Sequence, residues 1–192
     1  MIRLISDEQL ATQFQQGKES AFEAIVHRYH GPIHAYIVRM GGEYHVANDI
    51  VQEVFIKICR NINQYRSSLP LRPWIFAIAS NAYKDYLKKT YVSRDITGLD
   101  NLEEFTVSTN IAENKLLAKD QREQILTAVH SLREIYREVL VLRYYQDLKL
   151  DDIALTLKIP VGTVKSRLST ALHQLKERFA EGADCDEISV KR

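Results

Sequence analysis

The chain has two cysteines in 192 residues, Cys59 and Cys185, and neither belongs to a CxxC pair. That excludes zinc sites of the usual spacing and a disulfide framework, and it suits a reducing compartment. Glycine and proline are scarce, at 7 and 4 residues. Strand-like alternation is nearly absent, so an all-α fold is expected. No stretch approaches the roughly eighteen apolar residues of a membrane span. The opening residues, MIRLISDEQLATQF, carry acid by position 7 and no apolar run of a signal peptide, so a cytoplasmic protein is expected. Charge of one sign is missing too. Lys and Arg total 26 against 25 for Asp and Glu. Bulk charge therefore says nothing about nucleic acid, and any basic footprint must be local. Nothing has the pattern of a phosphate loop or a nucleophile elbow, and neither an enzyme, a cofactor nor a small-molecule substrate is expected.

What is present is helical periodicity in two blocks. Ser6 followed by Gln9 predicts a capping box for a helix from Asp7 to Gln16. A second helix opens near Ser20, and Gly31-Pro32 is expected to interrupt it. The segment VANDIVQEVFIKICRNI puts Val46, Ile50, Val54, Phe55, Ile58 and Ile62 on one side. Asn48, Asp49, Gln52, Glu53, Lys57 and Arg60 fall mostly on the outer surface. NQYRSSLPLRP reads as a loop, and Pro73 suits the first turn of the next helix, which is expected to bury Trp74, Ile75, Ile78, Ala82 and Tyr86. From Val92 to about Ile111 periodicity is lost in a polar, acidic stretch, read as an interdomain linker. A second block from Ala112 to about residue 180 holds four helices, with Ile125 and Ile135 among the inward positions. The last residues, 181–192, are polar and expected to fray.

Two places in this pattern carry DNA-binding chemistry. In the second block, Leu150, Ile153, Ala154 and Leu157 form one apolar stripe and Val164, Leu168, Ala171, Leu172 and Leu175 another. Two such helices across a tight turn make a helix-turn-helix, at about residues 149–170. The outward set of its second helix is Thr163, Lys165, Ser166, Arg167, Ser169, Thr170 and His173. Hydroxyls and long cations suit a helix entering a major groove, though a plain amphipathic pair with a solvated face has the same pattern. In the first block, NAYKDYLKKTYVSR interleaves Lys84, Lys88, Lys89 and Arg94 with Tyr83, Tyr86 and Tyr91. Basic residues track a phosphate backbone and aromatics stack on unpaired bases. The preceding loop carries Tyr65, Arg66 and Arg72, with Trp74 beside it, a place for a flipped base. Read alone, this segment suits buried tyrosines and solvated lysines better.

Four segments, DIVQEVFIKI (49–58), PWIFAIASNAYKDYL (73–87), REVLVLRYYQDLKLDDIALTL (137–157) and PVGTVKSRLSTAL (160–172), resemble those of the extracytoplasmic-function (ECF) sigma factors, small two-domain members of the sigma-70 superfamily. The resemblance implies region 2 over 1–91, a linker over 92–111 and region 4 over 112–180. It implies that residues 49–62 bind core RNA polymerase, with Asp49, Gln52, Glu53 and Lys57 placed for the contact. It implies that residues 64–89 recognise and open the −10 promoter element through Tyr65, Arg66, Arg72, Trp74, Asn81, Lys84, Asp85, Lys88 and Lys89. Thr163, Lys165, Ser166, Arg167, Thr170 and His173 would read the −35 element. The partners implied are bacterial core polymerase, promoter DNA and an anti-sigma factor, the last of which no residue here identifies. Reading heads two helical turns apart must span roughly 70 Å, and about 20 extended residues reach roughly 65–70 Å, so the linker can bridge them. Its acids, Asp95, Asp100, Glu103 and Glu104, argue against its lying on DNA. Three features depart from the family pattern: Lys158 where the turn usually has glycine, Thr170 and His173 for frequent arginines, and Ser80 for a frequent basic residue.

Two other readings are weaker. His30 and His34 have a metal-ligand spacing, but Gly31-Pro32 is expected to disturb the helix between them and no carboxylate-rich motif completes a set, so no metal is expected. Asp49 and Glu53 could act as an acid–base pair, but on an exposed helical face they suit a partner surface better. A helix-turn-helix regulator acting without polymerase remains the alternative function.

Overall fold

The computed structural model describes residues 5–97 and 116–189, with side chains over 5–91 and 123–180. Ser6 caps α1 (Asp7–Gln15). Its hydroxyl accepts from the Gln9 N–H at 3.2 Å, and the Gln9 side chain accepts from the Ser6 N–H at 3.1 Å. The capping box stands where the sequence places it. Asp7 then accepts hydrogen bonds from Arg28 and from the Tyr29 phenol, tying α1 to α2 (Glu19–Met40).

The break expected at Gly31-Pro32 does not occur: Pro32 lies inside one continuous 22-residue helix. An interior proline costs about 3 kcal/mol. The buried stripe Ile25, Tyr29, Ile33, Tyr36 and Ile37 runs through it on both sides and outweighs that cost. Gly41, at φ 105°, ends the helix in the left-handed conformation. At Gly42 a Cβ would lie 2.7 Å from the Ile37 side chain, so the chain turns with no side chain there.

α3 (Tyr44–Asn61) buries Val46, Ile50, Val54, Phe55 and Ile58, as its periodicity requires. A short 3-10 turn and a loop lead to α4 (Leu71–Thr97). This helix starts before Pro73 and continues past Tyr91, so residues 92–97 of the expected linker are helical. The rest of that linker, with Asp100, Glu103 and Glu104, and the expected start at Ala112 lie outside the described residues. Ile75 and Ala82 are buried, whereas Trp74, Ile78 and Tyr86 are only half-buried.

The second block is α5 (Leu116–His130), α6 (Glu134–Tyr144), α7 (Leu150–Leu157) and α8 (Val161–Ser189). Ile125 is exposed and Ile135 half-buried, against expectation, because α5 and α6 present only part of their stripes to the other helices. α8 runs on through most of the segment expected to fray, with no proline to stop it. Among the described residues every regular element is a helix, and no helix is long and apolar enough to cross a membrane.

The blocks pack on one another. α7 lies on α4, while α5 and α6 lie on α2. Buried apolar residues of the two blocks form one continuous cluster, and polar groups are set within the seam. The buried polar residues among those described, Ser80, Glu138, Gln146 and Thr156, all lie on it.

Candidate nucleic-acid interface

Three surfaces carry the residues singled out by sequence. On α3, Asp49 and Gln52 are exposed and Glu53 and Lys57 half-buried. Lys57 is engaged by both helices of the pair: its ammonium lies 2.9 Å from Glu53 and 3.4 Å from Asp85 of α4. Partial burial pulls the Lys57 pKa down, but the two carboxylates outweigh it and the net shift is upward. Ile56 and Tyr44, which sequence reading did not single out, are exposed on α3, Ile56 at a helical spacing that puts it between Gln52 and Arg60.

On α4 the set divides. Asn81, Lys88 and Lys89 are exposed, and Arg66 is exposed in the preceding loop. Tyr65 is buried: its hydroxyl donates to the Leu69 carbonyl and its ring packs 5.3 Å from Trp74. Burial, with the Glu8 and Asp7 carboxylates nearby, pushes its phenol up to about 12. Tyr65 therefore shapes the loop from within, and half-buried Trp74 is the aromatic nearer the surface. Tyr83 is also buried, donating to the Met40 carbonyl at 3.0 Å. Of the tyrosines interleaved on this helix, Tyr83 has the buried place of the core reading, Tyr86 is half-buried and Tyr91 is exposed. Asp85 is exposed and pairs with Lys57.

Lys84 and Arg72 reach across the seam. The Lys84 ammonium donates to the two Glu138 oxygens at 3.0 and 2.9 Å, and to the Ser80 hydroxyl at 3.1 Å. Ser80 in turn donates to Glu138, as does the fully buried Tyr36 phenol at 3.1 Å. Glu138 is 3% exposed. Arg72 Nε donates to the Gln146 carbonyl at 3.1 Å, and the Gln146 side chain to the Pro32 carbonyl at 3.2 Å. The Thr156 hydroxyl donates to the Pro73 carbonyl at 3.2 Å. Arg137 Nη1 donates to the Met40 carbonyl at 2.6 Å.

Sequence reading missed Glu138. The signal was available: Ile135, Glu138, Val139 and Leu142 follow the i, i+3, i+4, i+7 rhythm of a buried stripe, and a carboxylate stands in it.

On α8 the reading face is open. Lys165, Ser166, Ser169 and His173 are exposed, and Thr163, Arg167 and Thr170 half-buried. Among the described residues their bonds are local: Ser166 to the Thr163 carbonyl, Thr170 to the Ser166 carbonyl, and His173 beside Glu177 at 3.2 Å. Val164 and Ala171 are fully buried beneath, whereas Leu172, expected in the same stripe, is exposed because it lies one residue round the helix from Ala171. Lys158 caps α7 at φ 53°, the left-handed turn expected at that position. An apolar hollow lies beside it, lined by Ala154, Leu155, Ile159 and Val161.

His30 and His34 do lie on one continuous helix, but each faces an aromatic ring, Phe55 and Tyr44 respectively. Among the described residues no group of His, Cys, Asp or Glu is arranged to hold a metal ion.

The family model for sigma-70 region 2 matches residues 25–91, and that for sigma-70 region 4 matches residues 122–175. The chain is 30% identical over 187 residues to the ECF RNA polymerase sigma-E factor of Haemophilus influenzae, covering 93% of this chain and 98% of that one. It is 30% identical over 176 residues to the ECF RNA polymerase sigma factor SigW of Bacillus subtilis, covering 88% and 94%. The chain belongs to the ECF sigma factors. The fold agrees: CnrH, solved with the cytosolic domain of CnrY, superposes with a TM-score of 0.70 at 20% identity, over 91% of this chain and 97% of that one. The sigma factor RpoE of Bartonella quintana, solved with the anti-sigma factor NepR, gives 0.70 at 22% identity over 81% and 94%. In this sigma factor the helix-turn-helix α7–α8 falls in region 4. Ser80 and Lys84 fall in region 2, and Glu138, which they hold, falls in region 4.

Proposed function

We propose that this sigma factor binds bacterial core RNA polymerase through the outer face of α3, with Asp49, Gln52 and Glu53 around the apolar Ile56. Lys57 ties that face to α4. Region 2, residues 1–91, then recognises and helps to open the −10 element. Asn81, Lys84, Lys88 and Lys89 follow the phosphates, and the loop with Arg66, Arg72 and Trp74 takes an exposed base. Opening needs no catalytic residue, because binding of exposed bases offsets the cost of unpairing them. Region 4, residues 112–180, reads the −35 element with Thr163, Lys165, Ser166, Arg167, Thr170 and His173. Residues 92–111 let the two separate, and the protein acts in the cytoplasm. CnrH and the Bartonella factor were each solved with a protein partner, one of them named an anti-sigma factor, and a partner of that kind is proposed here.

The observation that carries this reading is the occurrence, in one chain of this family, of a basic helix and a helix-turn-helix on separate blocks. The test is run-off transcription with purified core polymerase and a library of promoters. New start sites, lost in Asp49→Lys while its helical content is kept, are expected. A folded protein that yields no start site, yet binds duplex palindromes alone, is a regulator of another kind.

A further inference from the structure

The buried polar residues of the described chain are not scattered. Ser80, Glu138, Gln146 and Thr156 each make a hydrogen bond across the seam between the blocks. A seam built for permanence would be better filled with apolar side chains, since a buried ion pair gains little over them. Apolar side chains of both blocks meet here as well, but the polar groups among them are re-solvated when the seam opens, so parting costs less at these contacts than exposing an equal apolar area.

The central contact has a specific chemistry. Two carboxylate oxygens of Glu138 meet the Lys84 ammonium and the Ser80 hydroxyl. A DNA phosphate offers the same donors the same kind of anionic oxygens. Ser80 is 2% exposed, and its short hydroxyl is buried against Glu138 of α6.

We infer that Glu138 acts as an internal substitute for promoter phosphate: it occupies Lys84 and Ser80, so that the two blocks rest closed and must part before the α4 face engages DNA. This regulates the same site and rests on the reading of α4 as the −10 face. Closure blocks only part of that face. Asn81, Lys88 and Lys89 stay exposed, which lets DNA make first contacts with the closed chain and then compete for Lys84. DNA that binds the open state better shifts the population toward it by its differential affinity alone.

The test is an intramolecular distance in the full chain by fluorescence energy transfer. One label sits on the exposed Cys59 of α3 and the other on Ser169→Cys in α8, with Cys185→Ser removing the second native thiol. The native chain gives one high-transfer population. Glu138→Lys sets two ammonium groups against each other, and Lys84→Glu sets two carboxylates; each is expected to convert most of that population to low transfer. Lys84→Glu combined with Glu138→Lys restores the pair and the high transfer. Because each single change reaches the open state from a different side, the outcome does not hang on one variant folding. Random-sequence single-stranded DNA added to the native chain produces the same low-transfer state. High transfer unchanged in both single variants overturns the proposal, as does a double variant as open as either single one, or DNA that binds with no change in distance. Transcription with core polymerase is scored separately. Its failure, with the distances behaving as stated, removes the sigma reading and leaves the latch.

Discussion

The two candidate DNA-reading helices differ in what holds their side chains. On α8, Lys165, Ser166 and Ser169 face solvent, and the Ser166 and Thr170 hydroxyls bond to carbonyls of their own helix. On α4, Lys84 and Ser80 are held by a carboxylate from the other block, and Arg72 by a carbonyl from it. The same packing thus leaves the proposed upstream reader open and occupies part of the proposed downstream one. Asymmetry of this kind fits the proposed latch, in which closure is a state to be left.

The largest effect expected on this comparison comes from Arg137, which holds the seam without belonging to either face. Its guanidinium donates to the carbonyls of Met40, His130 and Leu132. Arg137→Ala takes this donor from the His130 and Leu132 carbonyls, leaves Met40 with Tyr83 as its side-chain donor, and is expected to lower stability by about 1.5–3 kcal/mol. Urea unfolding measures it, and a native-like midpoint would show that the seam contributes little. Next is Arg167→Ala, on the open face. Loss of one base contact should cost about 1–3 kcal/mol in −35 binding and relax preference at one position. Equal loss on every sequence, seen in a binding scan, would make Arg167 a phosphate contact.

Smaller effects concern the frame of each face. Lys158 stands at φ 53°, where a Cβ is strained. Lys158→Gly relieves that strain but adds unfolded-chain entropy, so the net gain is expected at roughly 0.5–1 kcal/mol, read as a higher melting temperature. The smallest is a pH effect at the seam. His130 Nε2 lies 3.3 Å from the Val38 carbonyl. Burial lowers its pKa from 6.5, the Arg137 charge adds to this, and the Val38 and Arg39 backbones oppose it. The unfolded chain therefore binds more protons than the folded one between the lowered pKa and 6.5. Stability rises with pH through that window and is lost as pH falls below about 6.5. Unfolding free energies measured on both sides of the window are expected to show this slope, and His130→Gln to flatten it.

Much of this was legible in the sequence. Ser6 and Gln9 announced their capping box, the α3 stripe was read except for Ala47 and Val51, and both segments expected to read DNA lie on helices. Local rules sufficed there, because caps and stripes depend on residues within two turns of one another. The failures were cases where tertiary burial overrode a local signal. Pro32 did not break α2, since the buried stripe continues past it. Tyr65 was placed at the DNA surface but lies inside, because Trp74 and α1 close over the loop. Glu138 was passed over because its importance depends on Ser80 and Lys84, more than fifty residues away.

The central claim is that closure occupies Lys84 and spares the α8 face. Amine-reactive labelling of the free protein, with each lysine followed by mass spectrometry, tests this most directly. Lys84 is expected to react several-fold more slowly than Lys88, Lys89 and Lys165, because its ammonium is held by Glu138 and Ser80. In Glu138→Lys the lag is expected to vanish. If Lys84 in the native chain reacts as fast as Lys165, the downstream face is not held and the account is contradicted.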